Sequence, residues 1–181
     1  NTYVEVNTIN IRENIKKIID CYNNYKYYIG VVKADNYGHD GIESVKAVID
    51  GGCNYLAVAT LDEALKIRKT IKDIPILCLG VVPAEHTDLC IKNDITITIN
   101  SLEYLNELMT YNFNVKRVHI KINTGMNRLG ISNTNELRKV FEILKNKSIF
   151  VEGVYTHLYN ADKKAIYVKQ MSKFKEMLET I

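Results

Sequence analysis

The feature that most constrains this chain is a repeating alternation. Short apolar runs of strand type are each followed by a stretch whose apolar residues recur three and four positions apart. Tyr3–Val6 reads as a short strand, and a helix is expected from about Asn10, with Ile11, Ile15, Ile18 and Ile19 on one face and Glu13 completing a capping box. Tyr27–Lys33 is a buried strand, followed by the polar turn Asp35-Asn36-Tyr37-Gly38-His39 and a helix that faces Ile42, Val45, Val48 and Ile49 inward. The unit then repeats. Strands are expected at Tyr55–Ala59, Ile76–Leu79, Ile95–Ile99, Arg117–Ile122 and Val151–Tyr155. Thr60 with Glu63, and Ser101, mark helix starts, and Pro83 sits near another, where its missing N–H costs nothing. Leu102, Leu105 and Leu108 form one later stripe, Leu137, Val140, Phe141 and Leu144 a second, and Phe174 and Leu178 a third in a helix from Tyr167 onward.

Strands that alternate with helices pair in parallel through right-handed crossovers. No GxGxxG follows the first buried strand, which argues against a dinucleotide-binding fold. A closed (β/α)8 barrel of the TIM type needs about 250 residues. A chain of 181 residues that ends inside a helical pattern is therefore expected to be an incomplete N-terminal portion, about six βα units in one domain. It does not begin with Met, which fits a trimmed piece.

Composition closes off several other classes. With 46% hydrophobic and 25% charged residues the chain has enough apolar material for a core, so disorder is excluded. Twenty-four basic residues against twenty-one acidic ones give a net charge of +3 spread along the chain, with no tract for a nucleic-acid backbone. No apolar run could cross a bilayer, and residues 1–11 lack the pattern of a signal peptide. Cys21, Cys53, Cys78 and Cys90 are widely spaced, without a CxxC pair or a His at zinc spacing. They read as core thiols in a reducing compartment, so no metal and no disulfide are expected.

Three strand ends carry groups capable of chemistry. Lys33 closes an apolar strand, at the end where barrels place their active sites. Partial desolvation there would free its amine to attack a carbonyl; equally, it is a surface lysine before a turn rich in Asn, Asp and Gly. Tyr37 and His39 follow within that turn. Lys121 shares a face of its strand with His119, and Arg128 lies in the following loop, where it either curls back with its donor fork or stays on the rim. His157 stands at a third strand end, either as a structural residue or as a catalytic one.

The stretch Val31-Val32-Lys33-Ala34-Asp35-Asn36-Tyr37-Gly38-His39 resembles the pyridoxal phosphate lysine motif of the alanine racemase family. Lys121 to Gly130, ending Gly-Met-Asn-Arg-Leu-Gly, resembles that family's second signature. Val154-Tyr155-Thr156-His157-Leu158, with Ala161-Asp162 after it, resembles the third. The likeness runs from Tyr3 to Ile181 in the right order and spacing.

The resemblance implies an N-terminal barrel that holds pyridoxal 5'-phosphate and a C-terminal, mostly β domain absent from this chain. It implies a homodimer, and reversible inversion of L- and D-alanine by two bases. Lys33 would hold the cofactor and serve as one base, and Tyr37 would bind its phosphate. Arg128 would reach its phenolic oxygen, His157 would lie beside its ring, and His39 would play a supporting part. Lys121 matches a lysine that is carbamylated in many members, where the new negative charge fixes the arginine. The second base would be a tyrosine of the partner subunit's C-terminal domain, so this fragment alone would be inactive.

Asn36 and the pair Tyr159-Asn160 depart from the small residues usual at those positions. Three other readings share parts of the pattern. One is a serine or serine/alanine racemase of the vancomycin-resistance type, which would make this the cytoplasmic domain of a membrane protein. The others are a group IV decarboxylase, disfavoured by the full second signature, and a non-enzymatic, single-barrel pyridoxal phosphate-binding regulator. An alanine racemase would be cytoplasmic, without nucleic-acid or membrane partners.

Overall fold

The computed structural model describes residues 2–39, 41–111 and 113–181. They divide into two compact units, one running up to Val82 together with Lys92–Ile95, the other holding Pro83–Ile91 and Thr96–Ile181.

The first unit opens with helix α1 (Thr8–Cys21), then β1 (Ile29–Val31), the short turn α2 (Lys33–Gly38), α3 (Gly41–Asp50), β2 (Tyr55–Val58), α4 (Leu61–Thr70) and β3 (Ile76–Cys78). β1 pairs with β2, and β2 with β3, all in parallel; Ile29 lies opposite Tyr55 and Leu56 opposite Ile76. β2 and β3 are buried at every residue, as expected of parallel strands covered on both faces. Val45 and Val48 of α3 are buried against this sheet, with Ile42 and Ile49 at the edge of the core. Arg68 of α4 is only 7% exposed, yet its guanidinium is satisfied by the carbonyls of Asn93, Asp94, Ile71, Lys72 and Ile74 at 2.7–3.2 Å. A buried charge is tolerable on those terms, because each of the three guanidinium nitrogens finds a carbonyl acceptor.

Two expectations for the N-terminal stretch fail. Tyr3–Val6 is not a strand: Tyr3 is 81% and Val4 78% exposed, and no strand pairs with them among the described residues. β-propensity by itself does not make a strand, since the backbone groups need a partner. Helix α1 begins two residues earlier than its apolar stripe suggests. Asn7 caps it by accepting from the amide of Asn10 at 3.0 Å, and Glu13 instead pairs with Arg12 and Lys16. Ile18 stays mostly exposed, whereas Ile11, Ile15 and Ile19 are half-buried where α1 packs on α3.

The second unit contains a short turn at Ala84–His86, α5 (Thr87–Lys92) but for its last residue, β4 (Ile95–Ile99) but for its first, α6 (Leu102–Met109), β5 (Arg117–Lys121), α7 (Thr134–Asn146), β6 (Phe150–Tyr155) and α8 (Lys164–Leu178). β4 pairs with β5 and β5 with β6, again in parallel. Ser101 caps α6 by accepting from the amide of Tyr104, and Leu105, Leu108, Leu137, Val140 and Leu144 fill the core as their spacing predicts. Gly153 lies under the ring of His119, where an added Cβ would come within 2.6 Å of the imidazole. The architecture is α/β, with six parallel strands that alternate with helices, the leading portion of a (β/α)8 fold.

Three of the four cysteines are buried and Cys21 is exposed, so the core-thiol reading holds for Cys53, Cys78 and Cys90 only. All are free thiols. Burial pushes the Cys78 thiol up to about 11, which leaves it protonated and inert at neutral pH. No His, Cys, Asp or Glu cluster suited to a metal occurs among the described residues, and no helix is long and apolar enough to cross a membrane.

Candidate active site

β1 ends earlier than its apolar run implies, at Val31, so Lys33 stands beyond the sheet as the first residue of α2. The next four residues take an unusual path. Ala34, Asp35, Asn36 and Tyr37 have φ of 50–56° and ψ of 38–49°, one turn of left-handed helix made without glycine. Each such residue costs about 1–2 kcal/mol for its Cβ against the following carbonyl. Asn and Asp tolerate this conformation best, and Gly38 ends the turn. The dipeptide Asp35-Asn36 was the only signal of it in the sequence.

The strain has identifiable supports. Asn36 is buried, and its amide donates to the carbonyl of Val32 at 3.1 Å. Asp35 pairs with Lys66 of α4 at 2.8 Å, and His39 Nδ1 lies 2.8 Å from the carbonyl of Asn36. The Ala34 amide donates to Glu63 Oε1 at 2.7 Å, and the other oxygen of the same carboxylate accepts from Ala59 at 2.7 Å. Lys33 is half-buried, with its ammonium 5.9 Å from the centre of the Tyr37 ring, and makes no hydrogen bond or ion pair among the described residues. Tyr37 is 59% exposed. A cavity of about 540 Å³ lies beside this turn, lined by Val32, Ala34, Val45, Glu63 and Ile67, but Lys33 and Tyr37 do not line it.

In the second unit the predicted residues sit at the ends of β5 and β6. His119 and Lys121 are both buried, as their shared face requires, and the Lys121 ammonium lies 5.7 Å from the centre of the Tyr155 ring. Glu152 accepts from His119 Nε2 at 3.1 Å and faces Arg117 at 3.6 Å. Burial pushes the His119 imidazole below its ordinary pKa, and Glu152 offsets part of that.

Beyond Lys121 the chain folds back on itself. The Ile131 amide donates to the Lys121 carbonyl and the Asn123 amide to the Ile131 carbonyl, both at 2.9 Å. Asn123 Oδ1 accepts from the amides of Gly125 and Asn127 at 3.0 Å, an Asx-type closure of the loop. Gly130 has φ +124°, and an added Cβ would meet the Asn123 nitrogen at 2.7 Å, so glycine is required there. Arg128 rides on this loop, exposed and without a hydrogen bond or ion pair among the described residues.

His157 follows β6 and is exposed. Its carbonyl and Thr124 Oγ1 both accept from the side-chain amide of Gln170 at 3.0 Å, and Gln170 Oε1 accepts from the Tyr159 amide at 3.3 Å. Thr156 donates to the Ile122 carbonyl and lies 2.8 Å from Thr124 Oγ1.

Lys33 and Tyr37 thus come together in one unit, and Lys121, Arg128 and His157 belong to the strand ends of the other. Sequence reasoning missed Gln170 and the second contact of Glu63. Gln170 had a visible signal, a polar residue on the helix stripe that carries Ile166, Phe174 and Met177. Glu63 had none beyond its capping box. The residues of the first unit suit an aldehyde cofactor bearing a phosphate: a primary amine without a competing partner among the described residues, and a phenol four residues on that can donate to an oxyanion.

A family model described as alanine racemase, N-terminal domain, matches residues 6–181. The alanine racemase of Halalkalibacterium halodurans is 37% identical over 99% of this chain and 48% of its own length. Alanine racemase 1 of Bacillus subtilis is 37% identical over 98% of this chain and 46% of its own. The chain spans about half the length of these curated relatives. Among solved structures, alanine racemase from Bacillus anthracis with bound L-Ala-P superposes on 99% of this chain and 48% of its own, with a TM-score of 0.91 at 33% identity. A histidine racemase from Leuconostoc mesenteroides, 22% identical with a TM-score of 0.84 over 93% of this chain and 47% of its own, shares the fold.

Proposed function

This chain belongs to the alanine racemase family, and on that footing we propose that the intact protein is a pyridoxal phosphate-dependent amino-acid racemase acting on L- and D-alanine. The observation that carries the reading is Lys33, a half-buried amine without a competing partner among the described residues, at the head of a braced left-handed turn. When bound, pyridoxal 5'-phosphate supplies the electron sink that lets an amino acid lose its α-proton.

The chain's own residues then divide the work. Lys33 would hold the cofactor through its amine and, with that amine free, would act as a base at the substrate's α-carbon from one face. The Tyr37 hydroxyl donates to the phosphate, and its exposure fits a group that reaches outward. Arg128 would offer its donor fork to the phenolic oxygen, and a guanidinium with no hydrogen bond or ion pair among the described residues supports that role. His157, just past the end of β6, would stand beside the cofactor's ring. Lys121, buried near Tyr155, is the candidate for carbamylation. The second base comes from outside this chain, and with it the C-terminal domain and the partner subunit of a homodimer.

The test is a chiral product assay on the intact polypeptide with added pyridoxal phosphate, using L-alanine and L-serine in separate tubes. Faster D-alanine formation, lost in Lys33→Ala, is expected. Near-normal racemisation in that variant overturns the assignment.

A further inference from the structure

We propose that Glu63 is a positioning residue for Lys33, and that its capping position on α4 is the lesser of its two tasks. This rests on the reading of Lys33 as the cofactor lysine. The carboxylate bridges two strand ends: Oε1 accepts from the amide of Ala34, the residue after Lys33, and Oε2 accepts from the amides of Ala59 and Thr60 at 2.7 and 3.3 Å. The two contacts at 2.7 Å are in the range of charge-assisted hydrogen bonds, and the weaker 3.3 Å contacts belong to the capping box with Thr60.

Geometry explains why an external acceptor is needed. Ala34 opens the left-handed turn, and the first amides of any helical turn have no acceptor within it. The Asn36 amide finds the Val32 carbonyl, whereas that of Ala34 finds only Glu63 among the described residues. Ala59 ends the run next to β2, whose residue Ala57 pairs with Val31 and also accepts from the Val32 amide at 2.8 Å. The carboxylate thus ties the peptide following Lys33 to Ala59, the residue next after the buried strand β2. Without it the turn is free to relax toward the ordinary right-handed region, and the Lys33 amine moves with it.

A helix-cap role and a lysine-positioning role make different predictions. Thr60→Ala removes the cap's side-chain acceptor and leaves the Ala34 contact intact. In the intact holoenzyme, Glu63→Ala is expected to lower kcat/KM by about 30- to 100-fold, the scale of a misplaced reacting group. It should shift the pH midpoint of the visible absorption of the lysine-bound cofactor and speed hydrogen exchange at the Ala34 amide. Glu63→Gln keeps the shape but only one acceptor oxygen, so an intermediate loss and an intermediate exchange rate are expected. Thr60→Ala should stay within about twofold of the parent, with absorption and exchange unchanged.

If Glu63→Ala and Glu63→Gln behave like Thr60→Ala, or Ala34 stays protected in both, the inference is wrong. Borohydride reduction of the parent, with the modified peptide read by mass spectrometry, separates the two levels. A label absent from Lys33 defeats the cofactor reading, and Ala34 exchange still decides the clamp.

Discussion

At the end of β1 the chain turns through four left-handed residues and is held by charged groups, Glu63 on the Ala34 amide and Lys66 on Asp35. At the ends of β5 and β6 the loops are held by neutral groups, Asn123, Thr124, Thr156 and Gln170, each bonded to backbone or to another of the set. The first region strings four left-handed residues together and uses contacts to keep them; the second holds one, Asn127 at φ 56°, and depends on complete hydrogen bonding. Gln170 is 2% exposed and Thr124 7%, so any partner lost there is lost out of reach of water. Asp35 and Lys66 are exposed, and their pair contributes little by itself. The two strand ends should therefore respond in opposite ways to the same kind of change.

The largest expected effect breaks the neutral network. Gln170→Leu removes three hydrogen bonds at once, to the Tyr159 amide, the His157 carbonyl and the Thr124 hydroxyl, from a side chain that is 2% exposed, and each such bond contributes about 0.5–1.5 kcal/mol. A loss of about 3 kcal/mol is expected in urea unfolding of the intact protein. A change below about 1 kcal/mol would mean that the network is not what holds the loop.

Next is Gly130→Ala, where a positive φ and an approach of 2.7 Å to the Asn123 nitrogen leave no room for a Cβ. A cost of about 1–3 kcal/mol is expected, with greater protease sensitivity at residues 123–130.

Ala34→Gly probes the other region with the opposite sign. Relief of one left-handed residue outweighs the added freedom of the unfolded chain, for a net gain of about 0.5–1 kcal/mol. Equal or lower stability would remove strain as the distinguishing feature of that turn.

The smallest effect is one of pH. His119 has its pKa lowered on folding, first by burial, so the unfolded state binds the proton more tightly. Its contribution is complete above the ordinary value near 6.5 and is lost as pH falls from there through the lower folded value. Melting temperature should decline from pH 7.5 to 5.5, and His119→Gln should flatten that decline. An unchanged slope would assign the acid sensitivity elsewhere.

Much of this was legible in the linear chain. Period-two and period-3.6 patterns placed the six parallel strands, and the capping box at Thr60 and Glu63 was readable because its partners are three residues apart. The lysine and the two later signatures fall at or just after the ends of β1, β5 and β6. Local burial and local capping are properties that sequence records directly.

The rest required the fold. Tyr3–Val6 has the composition of a strand but no pairing partner, and Lys33 reads as the end of a strand yet begins a left-handed turn. Glu63 reaches Ala34 across 29 positions and Gln170 reaches Thr124 across 46. Hydrogen bonding depends on which strand ends and helices the sheet brings within about 3 Å. Chain order determined the elements and their succession; only parallel pairing in three dimensions decided which carboxylate holds the lysine's turn and which amide holds the histidine's loop.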